Sequence, residues 1–437
     1  MTLLFVAHDT PEPALYGAMA AILARRLRLP LAHLAIAWDT ALYPDACQHA
    51  IAAGALVTSG LIWHERLSGD TIDTPKRWSE LAALPAGRDW VIPLGPAQLA
   101  GLPGRLRALS RLAVDYQLIR VDMSSQGLVF RRNGAIESAW GQWRRDGFGR
   151  WRETSPDDAI AIVPGVAPTG ALPAVDSGLG NGRDAPAAAP HSLAGAAASP
   201  LAIVLLGTRR DQLEAYPAAV AALGDAADAL ALRLNILFAS PQEPCGEILK
   251  RAHGVLLPGG AAMANVAGQI TAARYTLDNA VPTLGLCLGM QTMATAVAQR
   301  MLGSTGVNLA EADPLAPVKS FVPLAETAGL PRHRLGDHMM LSEPGSRMQQ
   351  LLGDRSTLRY NHRFHLNPAL KRDLDIAGLR LSATDASGAI TDGIEFTRHV
   401  FYLGVQGHPE LSSSRRRPHP LLMAFLTAAA RRREAGL

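Results

Sequence analysis

Cys287, His408 and Glu410 are the residues whose types and spacing could do chemistry together. Cys287 lies in LGLCLGMQ, after a strand-like apolar run and before a helical one. A cysteine in an apolar stretch is ordinarily a small buried hydrophobe. On a tight strand-to-helix turn it becomes a nucleophile, and Gly285 and Gly289 permit the close approach that such an elbow needs. The following helix aims its free N–H groups at the sulfur and favours the thiolate. GVQGHPE (404–410) places His408 and Glu410 two residues apart after the strand-like FYLGVQ. Period-2 alternation predicts that both side chains leave one side of an extended segment, so that Glu410 orients the imidazole that activates Cys287. The chemistry is acyl transfer through a covalent thioester. The Leu288 amide would stand beside the developing oxyanion, and the turn at Pro258–Gly260 would present a second donor from Gly260.

The elements that must position these groups alternate. LAIVLLG (201–207), LNILFAS (234–240) and GVLLPGG (254–260) read as buried strands. DQLEAYPAAVAALGDAADALAL reads as a helix with a proline near its start, VAGQITAARYTLDNA as another, and VPTLGLCLGMQTMATAVAQR as strand, turn and helix. Strand and helix at this spacing predict a parallel sheet covered on both faces. Farther on, GLRLSATDASGAITDGIEFTRHVFYLGVQ reads as strands joined by Gly/Asp turns, and LLMAFLTAAARRR as a terminal helix. Upstream, LLFVAHD, PLAHLAIAW and YQLIRVDM read as strands and ALYGAMAAILARRLRL as a helix. Between the halves, residues 165–200 are dominated by Ala, Gly, Pro and Ser without an apolar period, the signature of a linker. The expected organisation is therefore an α/β domain over 1–165, a linker over 166–200 and a second α/β domain over 201–437.

Composition narrows the function classes. The 437 residues exceed one hydrophobic core, and 48% apolar with 18% charged residues excludes a disordered chain or a coiled coil. A net charge of +4, with only Lys76, Lys250, Lys319 and Lys371 as lysines, gives no basis for a nucleic-acid partner. Cys47, Cys245 and Cys287 are too few and too scattered for a disulfide framework or a cysteine-rich metal site. The start MTLLFVAHDTPEP lacks a basic n-region, and no stretch has the length and apolarity of a membrane span, so a cytoplasmic location is expected.

Set side by side with known motifs, residues 201–430 resemble the class I glutamine amidotransferase domain of the CTP synthase family. LLPGGAA, GQITAARYTLDN and VPTLGLCLGMQ are similar to the family's VPGGFG, its GKI/T helix and IPYLGICLGMQ. VQGHPELSSSRRRPHPLLMAF resembles its QFHPE block, RLGDHMM (334–340) its MRLG segment, and RYNHRFHLN (359–367) its RHRHRYEVN segment. The resemblance implies a flavodoxin-like domain and assigns Cys287 as nucleophile, His408 as base and Glu410 as orienting carboxylate. It places Gly260 and Leu288 in the oxyanion hole and Gln291 on the bound glutamine. It gives Glu311 the substrate's α-amino group and Arg363 its α-carboxylate, one anionic and one cationic handle for a free amino acid. One departure stands out: Ala261 and Ala262 replace the family's aromatic and glycine in PGGFG, and alanine cannot supply the aromatic surface.

The family's other domain is a P-loop-like amidoligase in which ATP activates UTP and ammonia from glutamine is added. Its GGVVSSLGKG-like opening corresponds here to FVAHDTPEPALYGAMAAILARR, which keeps strand, loop, Gly17 and Ala-rich helix in outline. Tyr16 stands at the phosphate-binding lysine, Asp9 and Glu12 bring negative charge, and Arg25 would sit too far along the helix. A P-loop needs glycine amides and a lysine, so the chain reads as a shortened, degenerate P-loop-like α/β domain for which ATP and Mg²⁺ are not expected. TSGLIWHERLSGD (58–70) and RVDMSSQG (120–127) are fainter echoes, with Asp122 matching an acidic metal-binding position.

The function expected is hydrolysis of L-glutamine to glutamate and ammonia, with no cofactor required and no metal, nucleic acid or membrane involved. The ammonia acceptor, or a partner synthetase, stays open. Alternatives are a divergent true CTP synthase, an amidase or acyltransferase on another γ-glutamyl substrate, and a regulatory pseudoenzyme. A homo-oligomer is compatible with the resemblance, although the family assembles through the domain that is altered here.

Overall fold

The computed structural model describes residues 1–10, 12–36, 39, 41–45, 66–67, 74–124, 127–154 and 199–437. Nearly all of the expected linker, most of TSGLIWHERLSGD and Cys47 lie outside the described residues.

Among the described residues the N-terminal lobe is built on a seven-stranded sheet. Its strands are β1 (Thr2–Ala7), β2 (Trp90–Pro93), β3 (Asp115–Ser124), β4 (Gly127–Arg132), β5 (Ala135–Ile136), β6 (Gln142–Arg145) and β7 (Trp151–Thr154), in the order β2-β1-β3-β4-β6-β7 with β5 on β4. Among the described residues β1 lies between parallel neighbours, β2 and β3, and β3–β7 form an antiparallel meander. Helix α1 (Pro13–Leu27) follows β1, and α2 (Leu102–Arg111) precedes β3. The strand expected over PLAHLAIAW is not formed among its described residues. Leu31 and Leu34 make isolated bridges to Val91 and Lys76, because the neighbouring edge strand β2 is four residues long and ends at Pro93, which has no N–H to extend the ladder.

The C-terminal lobe carries a nine-stranded sheet. Strands β8 (Leu201–Leu206), β9 (Leu234–Ala239), β10 (Gly254–Leu257), β11 (Thr283–Leu286) and β19 (Tyr402–Val405) run parallel in the order β19-β11-β10-β8-β9. This is the expected doubly covered parallel core, and its three central strands read as near-continuous apolar runs because both faces are buried. Helices α3 (Ala218–Ala229) and α6 (Pro420–Glu434) cover one face, while α4 (Val266–Asp278) and α5 (Leu288–Leu302) cover the other. The sheet is mixed rather than purely parallel: β18 (Thr391–Phe396), β17 (Leu379–Asp385), β14 (Arg334–Ser342) and β15 (Arg355–His362) extend it antiparallel beyond β19. Strands β12 (Val307–Leu309), β13 (Val318–Pro323) and β16 (Phe364–Leu366) form a separate small sheet. The long helix expected from Asp211 is divided: a π-helical turn at Asp211–Ala215 stops before Pro217, and α3 restarts beyond it.

The two lobes share a core in which residues of α1 pack with Tyr216, Ala218, Ala221 and Leu411. Phe148 packs against Gly224, where an added Cβ would come within 2.6 Å of its ring. Beside it, Arg150 donates to Asp225 Oδ1 and Asp228 Oδ2, each at 3.0 Å. Arg66 bonds the other Asp225 oxygen and donates to the Ser413 carbonyl. Among the described residues no helix is long and apolar enough to cross a membrane.

Candidate active site

Strand β11 ends at Leu286 and α5 starts at Leu288, so the whole turn is made by Cys287 at φ 48° and ψ −106°. A non-glycine residue at positive φ costs on the order of 1–3 kcal/mol and persists where the surroundings hold it. Here the Cys287 N–H donates to Val405 O at 2.8 Å, clamping the turn to β19. A Cβ on Gly289 would collide with the Leu257 carbonyl, and one on Gly285 with Met293 and the Gly289 backbone. The two glycines thus let β10, β11 and α5 meet closely enough to make the elbow.

His408 follows β19 by three residues. Its N–H donates to Arg359 O at 2.8 Å, and Gly407 leaves room for Leu358, whose Cβ an added methyl would approach to 2.8 Å. The segment is not extended as the alternation argument required. Pro409 opens a short helical turn, Pro409–Ser412, and His408 is its N-cap residue. The turn still folds Glu410 back: its Oε1 lies 2.8 Å from His408 Nδ1. His408 Nε2 and Glu410 Oε2 are buried without a hydrogen-bond partner. Burial alone would lower the His408 pKa, but the negative charges of Glu410 and Cys287 outweigh it and raise it to about 10. His408 is therefore held as an imidazolium at neutral pH.

Pro258–Gly260 follow β10. Buried Gln269 of α4 donates to the Pro258 carbonyl at 3.3 Å and accepts from Thr292 of α5 at 3.2 Å, pinning this turn to the elbow helix. A Cβ at Gly259 would lie 3.0 Å from His408 Cε1 and 3.3 Å from Cys287 Cβ, so the imidazole, the cysteine and this turn converge on one point. Gly260 is the next residue of the turn, and Leu288 occupies the first position of α5, where an amide has no partner within the helix. Gln291, one turn along α5, donates to Gln406 Oε1 at 3.2 Å, and Gln406 Nε2 lies 3.5 Å from Cys287 Sγ. The Gln291 Oε1 is buried without a partner. Glu311 and Arg363 are both exposed and face each other closely enough for charge interaction; partial desolvation pushes the Glu311 pKa up while Arg363 opposes it.

Three residues at this centre escaped the sequence reading. Gln406 was within sight of it, two positions before His408. Tyr216, fully buried at the end of the π-helical turn, sets its ring edge-on to His408 with centroids 6.4 Å apart. Burial, with the charges of Glu410 and Cys287, raises its pKa well above the usual tyrosine value. Asp45 comes from the other lobe and accepts from the Ala261 N–H at 3.0 Å. No sequence pattern signals either Tyr216 or Asp45, because only the packing of the two lobes brings them here.

The remaining candidates lie in the N-terminal lobe. The loop between β1 and α1 exposes Asp9, with Arg120 4.0 Å away, and ends at Glu12 as the N-cap residue, without a side-chain cap. Negative side chains at this helix N-terminus and the lack of a lysine do not fit a nucleotide phosphate. Asp122 is ion-paired with Arg131 at 2.5 Å on the sheet surface. Among the described residues no three His, Cys, Asp or Glu side chains are grouped to hold a metal ion.

Comparison with known proteins bears on the C-terminal lobe. Residues 226–428 match the family described as Glutamine amidotransferase class-I. A CTP synthase of Acidothermus cellulolyticus is 32% identical over 248 residues, covering 53% of this chain and 44% of that protein. One from Roseiflexus castenholzii is 35% identical over 242 residues, covering 53% and 43%. The chain thus spans less than half the length of these curated relatives. Among solved structures, the glutaminase domain of Trypanosoma brucei CTPS with bound acivicin matches with a TM-score of 0.50 and 25% identity, covering 53% of this chain and 94% of that one. The C-terminal part of the chain is a class-I glutamine amidotransferase domain, homologous to the glutaminase domain of CTP synthases.

Proposed function

We propose that this protein hydrolyses L-glutamine to glutamate and ammonia through Cys287, His408 and Glu410. The observation that carries the reading is the convergence of a cysteine on a strained elbow with a buried imidazole–carboxylate pair. The Cys287 thiolate attacks the γ-carbonyl carbon, and the negative oxygen is held by the Gly260 and Leu288 amides. His408 gives its proton to the departing nitrogen, which leaves as ammonia, and the γ-glutamyl group stays on sulfur as a thioester. Neutral His408 then takes a proton from water, whose oxygen attacks the thioester and releases glutamate. Glu410 fixes the ring and its tautomer throughout. Gln291, Glu311 and Arg363 hold the glutamine.

The N-terminal lobe, residues 1–165 joined through 166–200 to the amidotransferase domain at 201–437, is read as a remodelled, degenerate P-loop-like amidoligase domain. With no phosphate-binding lysine in its first loop, it serves as a scaffold or ammonia-acceptor site, or docks a partner synthetase in the cytoplasm. A second reading, hydrolysis of another γ-glutamyl amide, is favoured by one feature: Ala261 and Ala262 remove the aromatic wall, and Asp45 stands against the same loop.

The test is incubation with L-glutamine, with and without ATP plus UTP, following glutamate, ADP and CTP together. Glutamate without ADP or CTP, lost in Cys287→Ala, is the expected result. ATP-dependent CTP formation would overturn the reading of the N-terminal lobe, and no glutamate under any condition would overturn the glutaminase reading.

A further inference from the structure

Asp45, from the N-terminal lobe, touches the turn Pro258–Ala261, and its surroundings are unusual. Its carboxylate accepts the Ala261 N–H at 3.0 Å and lies 3.1 Å from where a Gly260 Cβ would project. The residue is only 8% exposed, yet Ala261 is its sole hydrogen-bond partner among the described residues, and no cation there pairs with it. A buried carboxylate normally finds a cation, because a single amide does not replace the water it has lost.

Its position is fixed through the residue two before it. Tyr43, two residues earlier, is buried against Ala215 of the C-terminal lobe. Arg210 donates to the Tyr43 hydroxyl at 3.0 Å and lies over its ring at 4.9 Å. Asp45 is therefore anchored at the turn rather than swept over it. Its charge also reaches Tyr216, the ring that abuts His408.

We propose that Asp45 is a substrate-recognition residue supplied across the lobe interface, accepting a hydrogen bond from the α-ammonium of an amino-acid γ-amide bound at Cys287. An ammonium has three N–H donors, so Glu311 and Asp45 can both accept from it. The substrate's cation then supplies a partner that the described residues do not offer Asp45. Burial, with Asp211 nearby and the Ala261 amide opposing, raises the Asp45 pKa to about 6, leaving the carboxylate ionised at neutral pH and ready for that cation. The inference rests on the glutaminase reading of the site and deepens it: the specificity is for substrates with a free α-amino group, and the N-terminal lobe is required to express it.

The experiment compares two electrophiles on the full chain, acivicin, which carries an α-ammonium, and iodoacetamide, which does not. Labelling of Cys287 is followed by intact mass in the wild type and Asp45→Asn, a variant that keeps an oxygen for the Ala261 amide. The expected result is acivicin labelling slowed at least tenfold in Asp45→Asn, iodoacetamide labelling changed less than threefold, and an elevated KM for L-glutamine at nearly constant kcat. Equal acivicin rates in the two proteins would overturn the role of Asp45 while leaving the glutaminase reading intact. Faster acivicin labelling in the variant would overturn it in favour of a carboxylate that obstructs the site. A wild type that reacts with iodoacetamide but not acivicin would overturn both readings. Should Asp45→Asn fail to fold, Asp45→Ser, which keeps an oxygen acceptor without the charge, gives the same contrast; acivicin labelling at the wild-type rate in that variant would overturn the proposal.

Discussion

The His408 Nδ1 and Glu410 Oε1 atoms are 2.8 Å apart, and both side chains are 1% exposed. A carboxylate this deeply buried next to one imidazole nitrogen does two things. It fixes which nitrogen faces the cysteine, and it stabilises the ring's positive charge.

Glu410→Gln keeps the shape and removes the charge. Without Glu410 the His408 pKa falls from about 10 towards the lower value that burial favours. The imidazolium that the proposed mechanism uses to protonate the departing nitrogen is then lost at a lower pH. The alkaline limb of the kcat profile should move to lower pH, and kcat at pH 7.5 should fall by about 10²-fold or more. A pH–rate series on wild type and variant measures both.

Gly259→Ala tests convergence on the turn. The added methyl meets His408 Cε1 and Cys287 Cβ at 3.0 and 3.3 Å, so the imidazole or the cysteine must shift by a few tenths of an ångström. The expected outcome is at least a tenfold loss of kcat with a small change in melting temperature. Gly289→Ala is expected to behave oppositely, with loss of stable protein, because its methyl would meet the backbone carbonyl of Leu257.

Arg150→Met should loosen the lobes. Asp225, 1% exposed, would keep Arg66 but lose one of its two cations, and Asp228 would lose a partner. Because Asp225 stays paired with Arg66, the cost is that of lost hydrogen bonds to a charged group, about 2 kcal/mol. Urea unfolding should show that loss, and replacing Asp225 and Arg150 together should cost less than the sum of the single changes.

His362, buried on β15, has its pKa lowered to about 3 by burial, against which its bond to the Phe364 carbonyl works. Its folded pKa lies below the ordinary value of 6.5, so its contribution is present above pH 6.5 and is lost as pH falls towards 3. Over that interval His362→Gln should flatten the dependence of urea stability on pH by about 1.4 kcal/mol per unit relative to wild type.

The parallel core was legible because β8, β10 and β11 are apolar on both faces, and the elbow because Gly285 and Gly289 bracket Cys287. The meander β4–β7 was readable but missed: Asn133 and Gly134, both at positive φ, make the Asn-Gly turn that joins β4 to β5. PLAHLAIAW has a strand's composition but only a short proline-ended edge to pair with, and composition does not reveal the neighbour. His408 and Glu410 meet through a proline-initiated turn where alternation suggested an extended segment. Tyr216 and Asp45 reach the site only through tertiary packing, which leaves no local pattern.

The most direct test of the central claim is acid quench of the full-length protein during turnover of L-glutamine, followed by intact mass and peptide mapping. The account predicts a γ-glutamyl adduct on Cys287 that is sensitive to hydroxylamine, accumulates in wild type and is absent from Cys287→Ala while that variant stays folded. Glutamate release with the same rate in Cys287→Ala, or an adduct mapped to another residue, would contradict it.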